Sequence, residues 1–313
     1  MEYIIQTRGL SKAYQGKDVI SNVNMKVRQG EIYGFLGPNG AGKTTIMKML
    51  TNLVKPTAGE ILLFNEPLTA SSYEVLGRIG SIIEYPIFYE KLTAAQNLEL
   101  HGEYMGCHNK HAIQEALDMV HLRNTDQKPV KEFSLGMKQR LGIARAIMTK
   151  PELLILDEPI NGLDPFGIQE IRHLFQTLSR DYGITLLIST HLLGEIEQIA
   201  DKIGVISEGR LIDEVSMESI RGQNTEFIEL VTPESSRAAA ILDHQLQISN
   251  FKVLHDRNIR IYDTSVSQGD IFKALVQQNI EIEGMHKKVM SLEEYFLDLI
   301  QRDSKRDEGG HNV

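Results

Sequence analysis

The amino-acid sequence predicts an α/β fold, built on a mainly parallel sheet with covering helices and followed by a small α+β domain. Over the first two thirds of the 313 residues, short apolar runs alternate with longer stretches of helical periodicity. This alternation is typical of parallel strands joined by helical crossovers. After a turn-like sequence at 207–210, the predicted elements run strand, helix, strand, strand, helix, strand, which is the order of a ferredoxin-like split βαβ unit.

The first domain is expected to span residues 1–215, and its elements follow from apolar runs and one capping pattern. Buried central strands are predicted for the runs 32–36, 153–156 and 184–188. Thr93 and Gln96 form a capping-box pair, which predicts a helix over about 93–105. The residues that follow the strands are expected at one edge of the sheet, where ligands of open α/β sheets collect.

The second domain is expected to span residues 216–302, after a transition near 213–224. Its predicted elements are strand 227–231, helix 234–246, strands 251–254 and 259–262, helix 270–277 and strand 280–283. A last helix is predicted to begin at the capping-box pair Ser291 and Glu294. The polar, glycine-bearing tail at 303–313 is expected to be disordered.

The composition is that of an acidic globular protein. Lys and Arg number 33 against 42 Asp and Glu, a formal net charge of −9, which opposes binding to nucleic acid. The single cysteine, Cys107, excludes an intrachain disulfide and a zinc site of several cysteines, and we interpret it as a bystander thiol. No segment approaches the roughly 18 consecutive apolar residues of a spanning helix, and the N-terminus lacks the features of a signal peptide. If the protein works at a membrane, we expect another chain to hold it there.

A glycine-rich loop carries the clearest chemical signal. Residues 37–44 match the pattern G-x-x-x-x-G-K-[ST], directly after an apolar strand and before a helical run, as a phosphate-binding loop requires. Its glycines let successive backbone N–H groups point at phosphate oxygens, with a helix N-terminus behind them. Lys43 is expected to reach the β- and γ-phosphates, and the Thr44 hydroxyl to bind Mg²⁺. The alternative is a glycine-rich turn of purely structural use. The expected nucleotide-contacting residues of the loop are Gly37, Pro38, Asn39, Gly40, Ala41, Gly42, Lys43 and Thr44.

Two adjacent carboxylates end the apolar strand at 153–156. Because successive strand residues face opposite ways, Asp157 and Glu158 are expected to have different tasks. Asp157 is expected to hold Mg²⁺, and Glu158 to orient and polarise an attacking water. A helix N-cap would explain the pair equally well when it is taken alone. His191 follows another apolar strand and is expected to hydrogen-bond a γ-phosphate, although a lone histidine is more often structural.

The segment Phe133 to Arg140 completes a set of motifs that resembles the nucleotide-binding domain of ABC transporters. The resemblance covers roughly residues 3–215, and the order and spacing of the motifs make it specific. It implies ATP and Mg²⁺ as ligands and catalytic roles for Lys43, Glu158 and His191. The motifs it implies are Walker A at Gly37 to Thr45, the signature at Ser134 to Arg140, Walker B at Leu153 to Asp157 and a D-loop at Asn161 to Asp164. Tyr14 falls where the family stacks a ring on adenine, the alternative being a half-buried strand residue.

The resemblance also implies a paired machine. In this family two domains associate head to tail, so that one chain holds half of each nucleotide site. Ser134 and the backbone N–H groups around Gly136 would begin a helix running through Arg145, with its positive end toward the partner's γ-phosphate. The expected partners are therefore a second copy of this chain and separate integral-membrane permease subunits. The expected location is the cytoplasmic face of the cell membrane.

The sequence departs from the family pattern in two places. Leu135 and Met137 replace the third and fifth residues of the usual signature Leu-Ser-Gly-Gly-Gln. Glu84 follows the strand 79–83, where the family has a glutamine near Mg²⁺. We expect Glu84 to offer an oxygen to the metal with an added charge, the alternative being a solvated strand end. This glutamate and the string from Phe133 onward resemble the subgroup of bacitracin and lantibiotic self-protection exporters.

The expected function is that of the ATP-binding and ATP-hydrolysing subunit of a membrane exporter, for peptide antibiotics or another drug. The segment 84–105 is expected to contact the permease, since it contains Tyr85, Phe88 and Tyr89; the alternative is that these aromatics are packed in the core. Two other functions stay open: an exporter or importer of unrelated cargo, and a soluble ABC ATPase acting on DNA or ribosomes. The acidic composition opposes the second.

Overall fold

A computed structural model of the protein describes residues 2–107, 109–125, 127–222, 226–254, 257–263, 266–289 and 296. The described residues form two compact units, one up to Met217 and the other from Glu218. The predicted helix from Ser291 and the tail at 303–313 lie outside the described residues, except for Phe296, which is helical and buried.

The strands of the first unit form two sheets. In chain order they are β1 (Tyr3–Tyr14), β2 (Lys17–Val23), β3 (Lys26–Arg28), β4 (Ile32–Leu36), β5 (Ala58–Leu63), β6 (Glu66–Pro67), β7 (Ile79–Ile82), β8 (Leu153–Asp157), β9 (Thr185–Thr190), β10 (Lys202–Ser207) and β11 (Arg210–Ser216). The antiparallel sheet has the order β2-β1-β5-β6, with β3 also paired to β1.

The six-stranded sheet positions the functional residues. Its order is β11-β10-β4-β9-β8-β7, and every pairing is parallel except that of β10 with β11. Every residue of β4, β8 and β9 is buried, as expected of central parallel strands that are covered on both faces. The predicted α/β class is therefore confirmed, and the apolar runs predicted as strands are strands.

The helices of the first unit connect these strands. They are α1 (Lys43–Leu50), α2 (Tyr73–Gly77), α3 (Ala94–Met105), α4 (Lys110–Met119), α5 (Leu135–Ile147), α6 (Pro165–Arg180) and α7 (Leu193–Ile196), and α8 (Met217–Gly222) follows. Helix α3 has the predicted capping box, in which Thr93 Oγ1 accepts from Gln96 N and Thr93 N donates to Gln96 Oε1. A hydrophobic core joins α1 to both sheets through residues such as Ile5, Phe35 and Met47, which fixes the helix behind the glycine-rich loop.

The second unit is a four-stranded antiparallel sheet with two helices. Its elements are β12 (Glu226–Val231), α9 (Ser235–His244), β13 (Phe251–Leu254), β14 (Asn258–Ile261), α10 (Gln268–Gln277) and β15 (Gly284–Val289). The strand order β13-β14-β12-β15 interleaves the two βαβ halves, β12-α9-β13 and β14-α10-β15, as in the predicted ferredoxin-like arrangement.

The last strand of this unit lies later than predicted. The apolar residues at 280–283 were expected to form it, but the strand is β15, and Ile280 instead packs into the core of the unit from the connection after α10. Asn279 has a left-handed φ of 55°, which ends the helix in the manner of a C-terminal cap. Residues 280–283 are then needed to return the chain to β12, where Glu283 N donates to Val231 O.

Candidate active site

The glycine-rich loop lies between the end of β4 and the start of α1, at the carboxyl edge of the parallel sheet. Gly40 and Gly42 have φ angles of 82° and 106°, which L-residues with side chains rarely adopt. A Cβ at Gly37 would lie 2.3 Å from Ile206 O, and one at Gly42 would lie 2.3 Å from Ile20 Cδ1. Both glycines are thus required by the close path of the loop. Pro38, Asn39 and Gly40 are exposed, Ala41 is buried and Thr45 is half-buried, so the loop is open to solvent at its tip.

Lys43 is folded back into the loop. Its side chain is only 6% exposed, and Nζ donates to Gly37 O at 2.6 Å and Pro38 O at 3.2 Å. Nζ also lies 3.3 Å from Glu158 Oε1. The lysine charge is therefore held at the mouth of the loop, beside the predicted catalytic carboxylate.

Thr44 and Asp157 meet as predicted from their positions at the edge of the sheet. Thr44 Oγ1 donates to Asp157 Oδ2 at 2.7 Å. A hydroxyl and a carboxylate are hard oxygen ligands of the kind that Mg²⁺ takes, usually one or two from the protein with the rest from water and phosphate. No cluster of three or more His, Cys, Asp or Glu residues that could hold a metal occurs among the described residues. The hydroxyl of Thr44 and the carboxylate of Asp157 fit a magnesium ion that takes its remaining ligands from water and phosphate.

Glu158 sits between the side chains of Lys43 and His191. Its Oε2 lies 2.9 Å from His191 Nδ1, and its Oε1 is buried without a hydrogen-bond partner, 3.3 Å from Lys43 Nζ. The lysine charge offsets that of this oxygen without an aligned hydrogen bond, so the oxygen can still accept one from a water or ligand entering the loop. The backbone φ of Glu158 is 48°, an uncommon conformation that often occurs at functional sites.

Ser189 is the residue that sequence reasoning missed. It pairs with Asp157 across the parallel strands β8 and β9, and its Oγ donates to Asp157 Oδ1 at 2.5 Å while accepting from Glu158 N at 2.9 Å. The serine thus fixes both neighbouring acids. The only signal for it in the sequence is the change from apolar to polar residues at the end of the strand, and the strand order is needed to interpret it.

Two further predicted residues, Tyr14 and Glu84, have side-chain partners outside this cluster. Tyr14, at the end of β1, is 46% exposed, and Lys12 Nζ lies 4.8 Å from the centroid of its ring. Glu84, after β7, has its Oε1 2.6 Å from Lys48 Nζ on α1. The structure thus pairs Glu84 with a lysine of the helix that follows the glycine-rich loop.

The predicted signature residues line a separate cavity of about 520 Å³. Ser134 caps α5, its Oγ accepting from Met137 N at 3.3 Å. The α carbon of Gly136 faces Leu163, since a Cβ there would lie 3.4 Å from Leu163 Cδ2. The cavity lies between the start of α5 and the segment 162–170. A helix N-terminus with a serine cap offers unpaired N–H groups to an anion.

The segment after Glu84 presents aromatic side chains to solvent. Tyr85 is 71% exposed, and Tyr89 is also exposed, whereas Phe88 is half-buried. The guanidinium of Arg145 on α5 lies 4.9 Å from the Phe88 ring and donates to Ile87 O at 2.9 Å. Two of the three aromatics are therefore surface residues, and the segment is attached to the helix that begins at the signature residues.

No helix in the described part of the chain is long and apolar enough to cross a membrane.

Known proteins are similar in sequence over nearly the whole chain. A family model for ABC transporters matches residues 20–161. An uncharacterized ABC transporter ATP-binding protein, YcbN of Bacillus subtilis (strain 168), is 68% identical over 304 residues, which cover 97% of this chain and 99% of YcbN. The bacitracin transport ATP-binding protein BcrA of Bacillus licheniformis is 44% identical over 300 residues, covering 96% of this chain and 98% of BcrA.

Two further similarities concern the first unit. The lantibiotic transport ATP-binding protein SrtF of Streptococcus pyogenes is 46% identical over 209 residues, covering 67% of this chain and 89% of SrtF. The dimeric structure of a bacterial ABC transporter cassette matches with a TM-score of 0.62 and 26% identity, covering 68% of this chain and 98% of the cassette. The resemblance to the bacitracin and lantibiotic subgroup is thereby confirmed, and the chain belongs to the family of ABC transporter ATP-binding proteins.

Proposed function

We propose that this protein is the ATP-binding and ATP-hydrolysing subunit of a membrane exporter, and that the exporter removes peptide antibiotics of the bacitracin or lantibiotic type. The observation that carries the hydrolytic part is the placement of Glu158. Its buried Oε1 accepts no hydrogen bond and lies 3.3 Å from Lys43 Nζ at the mouth of the glycine-rich loop, next to an acid bonded by Thr44. The cargo class is supported by the similarity to BcrA, which extends over almost the whole chain.

The residues of the loop bind the phosphates in this proposal. Backbone N–H groups from Gly37 to Thr45 face the phosphate oxygens, and Lys43 exchanges its backbone carbonyl partners for the β- and γ-phosphates. Thr44 and Asp157 hold Mg²⁺, which supplies neutralisation of the phosphate charge. Tyr14 stacks on adenine; its exposed ring is free on the face away from Lys12.

Glu158 and His191 act on the water and the γ-phosphate. When Lys43 turns to the phosphates, Glu158 Oε1 loses its cationic neighbour and accepts a proton of the attacking water, which it orients in line with the phosphorus. His191 holds the other oxygen of Glu158 and donates to the γ-phosphate. Ser189 keeps Asp157 and the backbone of Glu158 in place, so Asp157 remains positioned for Mg²⁺ and Glu158 for the attacking water.

The second half of the site comes from a partner copy. The cavity at Ser134 and Gly136 is lined by the start of α5 and by the segment 162–170, and we propose that the γ-phosphate bound to another copy enters it in a head-to-tail dimer. A solved cassette with the same fold is dimeric, which supports the pairing. The N–H groups at the start of α5 suit an anion.

The partner in the membrane is a permease made of separate chains. BcrA is described as a transport protein. In this chain, Tyr85, Ile87 and Tyr89 are large, exposed side chains in the segment that follows β7. Large exposed aromatics in one segment are typical of protein interfaces. We therefore propose that this segment binds the permease and that the subunit works at the cytoplasmic face of the cell membrane.

Growth inhibition of the native host tests the cargo. Cells whose only copy carries Glu158→Gln are compared with normal cells on bacitracin and a panel of lantibiotics. A several-fold lower inhibitory concentration for one peptide class is expected in the variant, because hydrolysis drives export. Cells carrying Glu74→Gln, an exposed acid outside the site, serve as the control. Equal inhibition of all three strains by every peptide would refute the peptide-antibiotic cargo and leave the ATPase proposal standing.

A further inference from the structure

Helix α1 binds the ends of two neighbouring strands through one residue each. Strands β7 and β8 are parallel, with Ile82 paired to Leu156, so Glu84 follows β7 at the edge where Asp157 ends β8. Thr44 bonds Asp157, and Lys48 bonds Glu84 at 2.6 Å. Residues four apart lie one above the other on a helix. The metal-site hydroxyl and the lysine are therefore one turn apart on the same face.

The lysine offsets a charge that Glu84 introduces. Without it, the carboxylates of Glu84, Asp157 and Glu158 would share this edge of the sheet with Lys43 as their cationic neighbour. Each added negative charge favours binding of a divalent cation. Lys48 lowers the negative potential at Glu84 and engages one of its two oxygens.

The ion pair of Lys48 with Glu84 affects the position of the Glu84 carboxylate more than the stability of the fold. The side chains of Lys48 and Glu84 are 31% and 62% exposed, and ion pairs so open to solvent contribute little to the free energy of unfolding. Glu84 has a left-handed φ of 64°, which restricts the directions available to its side chain. In the structure its carboxylate is turned to Lys48, one helical turn after the Thr44 that bonds Asp157.

We propose that Lys48 is a positioning residue that competes with nucleotide-bound Mg²⁺ for the Glu84 carboxylate. The lysine holds the glutamate on α1 before Mg²⁺ arrives and sets the Mg²⁺ concentration at which the exchange occurs. This inference rests on the proposed ATP-binding function. It assigns a role to a residue outside the phosphate-loop motif, in a chain where glutamate replaces the usual glutamine.

A double-mutant cycle tests the competition by binding alone. Wild type, Lys48→Met, Glu84→Gln and the double variant are titrated with Mg²⁺ in the presence of a fluorescent, non-hydrolysable ATP analogue, and the half-saturating Mg²⁺ concentration is measured. Methionine keeps the unbranched stem and the helix propensity of lysine. Lys48→Met is expected to lower this concentration about three- to fivefold when Glu84 is present, which is the upper range for an exposed ion pair. In the Glu84→Gln background the same change is expected to have no effect.

Control variants distinguish a failure of this inference from a failure of the proposed ATP-binding function. Lys48→Arg keeps the charge and is expected to behave as wild type, and Lys48→Gln repeats the experiment if the methionine variant unfolds. An equal effect of Lys48→Met in both backgrounds would contradict the inference, because the lysine would then act on the phosphates directly. No effect in either background would contradict it as well. Failure of wild type to bind the analogue would instead overturn the ATP-binding function.

Discussion

The two segments that we propose to face phosphate differ in how they are held. The loop before α1 belongs to a network within one chain, where Lys43 contacts Glu158 and Thr44 bonds Asp157. The signature segment at Ser134 and Gly136 instead borders a cavity formed with the residues 162–170. Among the described residues, no hydrogen bond or ion pair joins these two segments. In the proposed function, the first segment binds a nucleotide within one chain, and the second completes the site of another copy.

The comparison predicts opposite binding behaviour for variants of the two segments. Lys43→Ala removes the cation that faces the phosphates, so binding of ATP by the isolated subunit is expected to weaken at least about 100-fold, as when a buried charge pair loses a partner. Gly136→Asp adds a negative charge to the proposed entry of the partner's phosphate, and a side chain there has room because Leu163 is in ordinary contact. Its ATP affinity is expected to stay within about twofold of wild type, while its ATPase activity falls about 100-fold.

Calorimetric binding and steady-state hydrolysis measure the two effects. Lys55→Ala and Gly77→Asp are matched controls, since Lys55 is exposed and a Cβ at Gly77 meets nothing within 4 Å. Both controls are expected to retain binding and hydrolysis. Loss of ATP binding in Gly136→Asp would contradict the proposed difference between the two segments, because the signature segment would then act on the nucleotide of its own chain.

A substitution of Ser189 is expected to have a smaller effect on hydrolysis, and it tests how the acids beside the glycine-rich loop are positioned. Ser189→Ala removes the donor to Asp157 Oδ1 and the acceptor of Glu158 N. Loss of a hydrogen bond to a charged group is expected to cost about 1.5–3 kcal/mol of unfolding free energy, and hydrolysis is expected to fall about tenfold through misplacement of both acids. The melting temperature and kcat are measured together.

Ser179→Ala is the control for this prediction. Ser179 on α6 is also buried, and its hydroxyl donates to a backbone carbonyl, that of Gly30, outside the site. Its removal is expected to lower the melting temperature with little change in kcat. If both serine variants lower kcat in proportion to their loss of stability, Ser189 has no specific part in the site.

The sequence was informative where chemistry follows from local pattern. The loop glycines, the acid pair and the capping box of α3 are each defined by neighbours in the chain, and the structure brings Thr44 and Asp157 together as expected. Ser189 could not be identified in this way, because its role depends on β8 and β9 being adjacent with Asp157 in register. The same holds for the contact of Lys48 with Glu84, which requires α1 to lie beside the end of β7.

The misplaced strand of the second unit has a different cause. Residues 280–283 alternate in a strand-like pattern, but Ile280 and Ile282 supply apolar contacts to the core from a connecting segment. Periodicity over four residues does not separate a short strand from a packed connection. The pairing of β15 with β12 fixes where the strand begins, and that pairing is a long-range property.

The oligomeric state of Glu158→Gln with saturating Mg-ATP tests the paired site most directly. Glutamine keeps the shape of the glutamate side chain but cannot accept a proton from the attacking water, so the variant is expected to bind ATP without hydrolysing it. In analytical ultracentrifugation it is expected to have twice the mass of one chain. Adding Gly136→Asp to it is expected to return the protein to a monomer that still binds ATP. A Glu158→Gln variant that binds Mg-ATP and remains monomeric, or a dimer that persists with Gly136→Asp, would contradict the account.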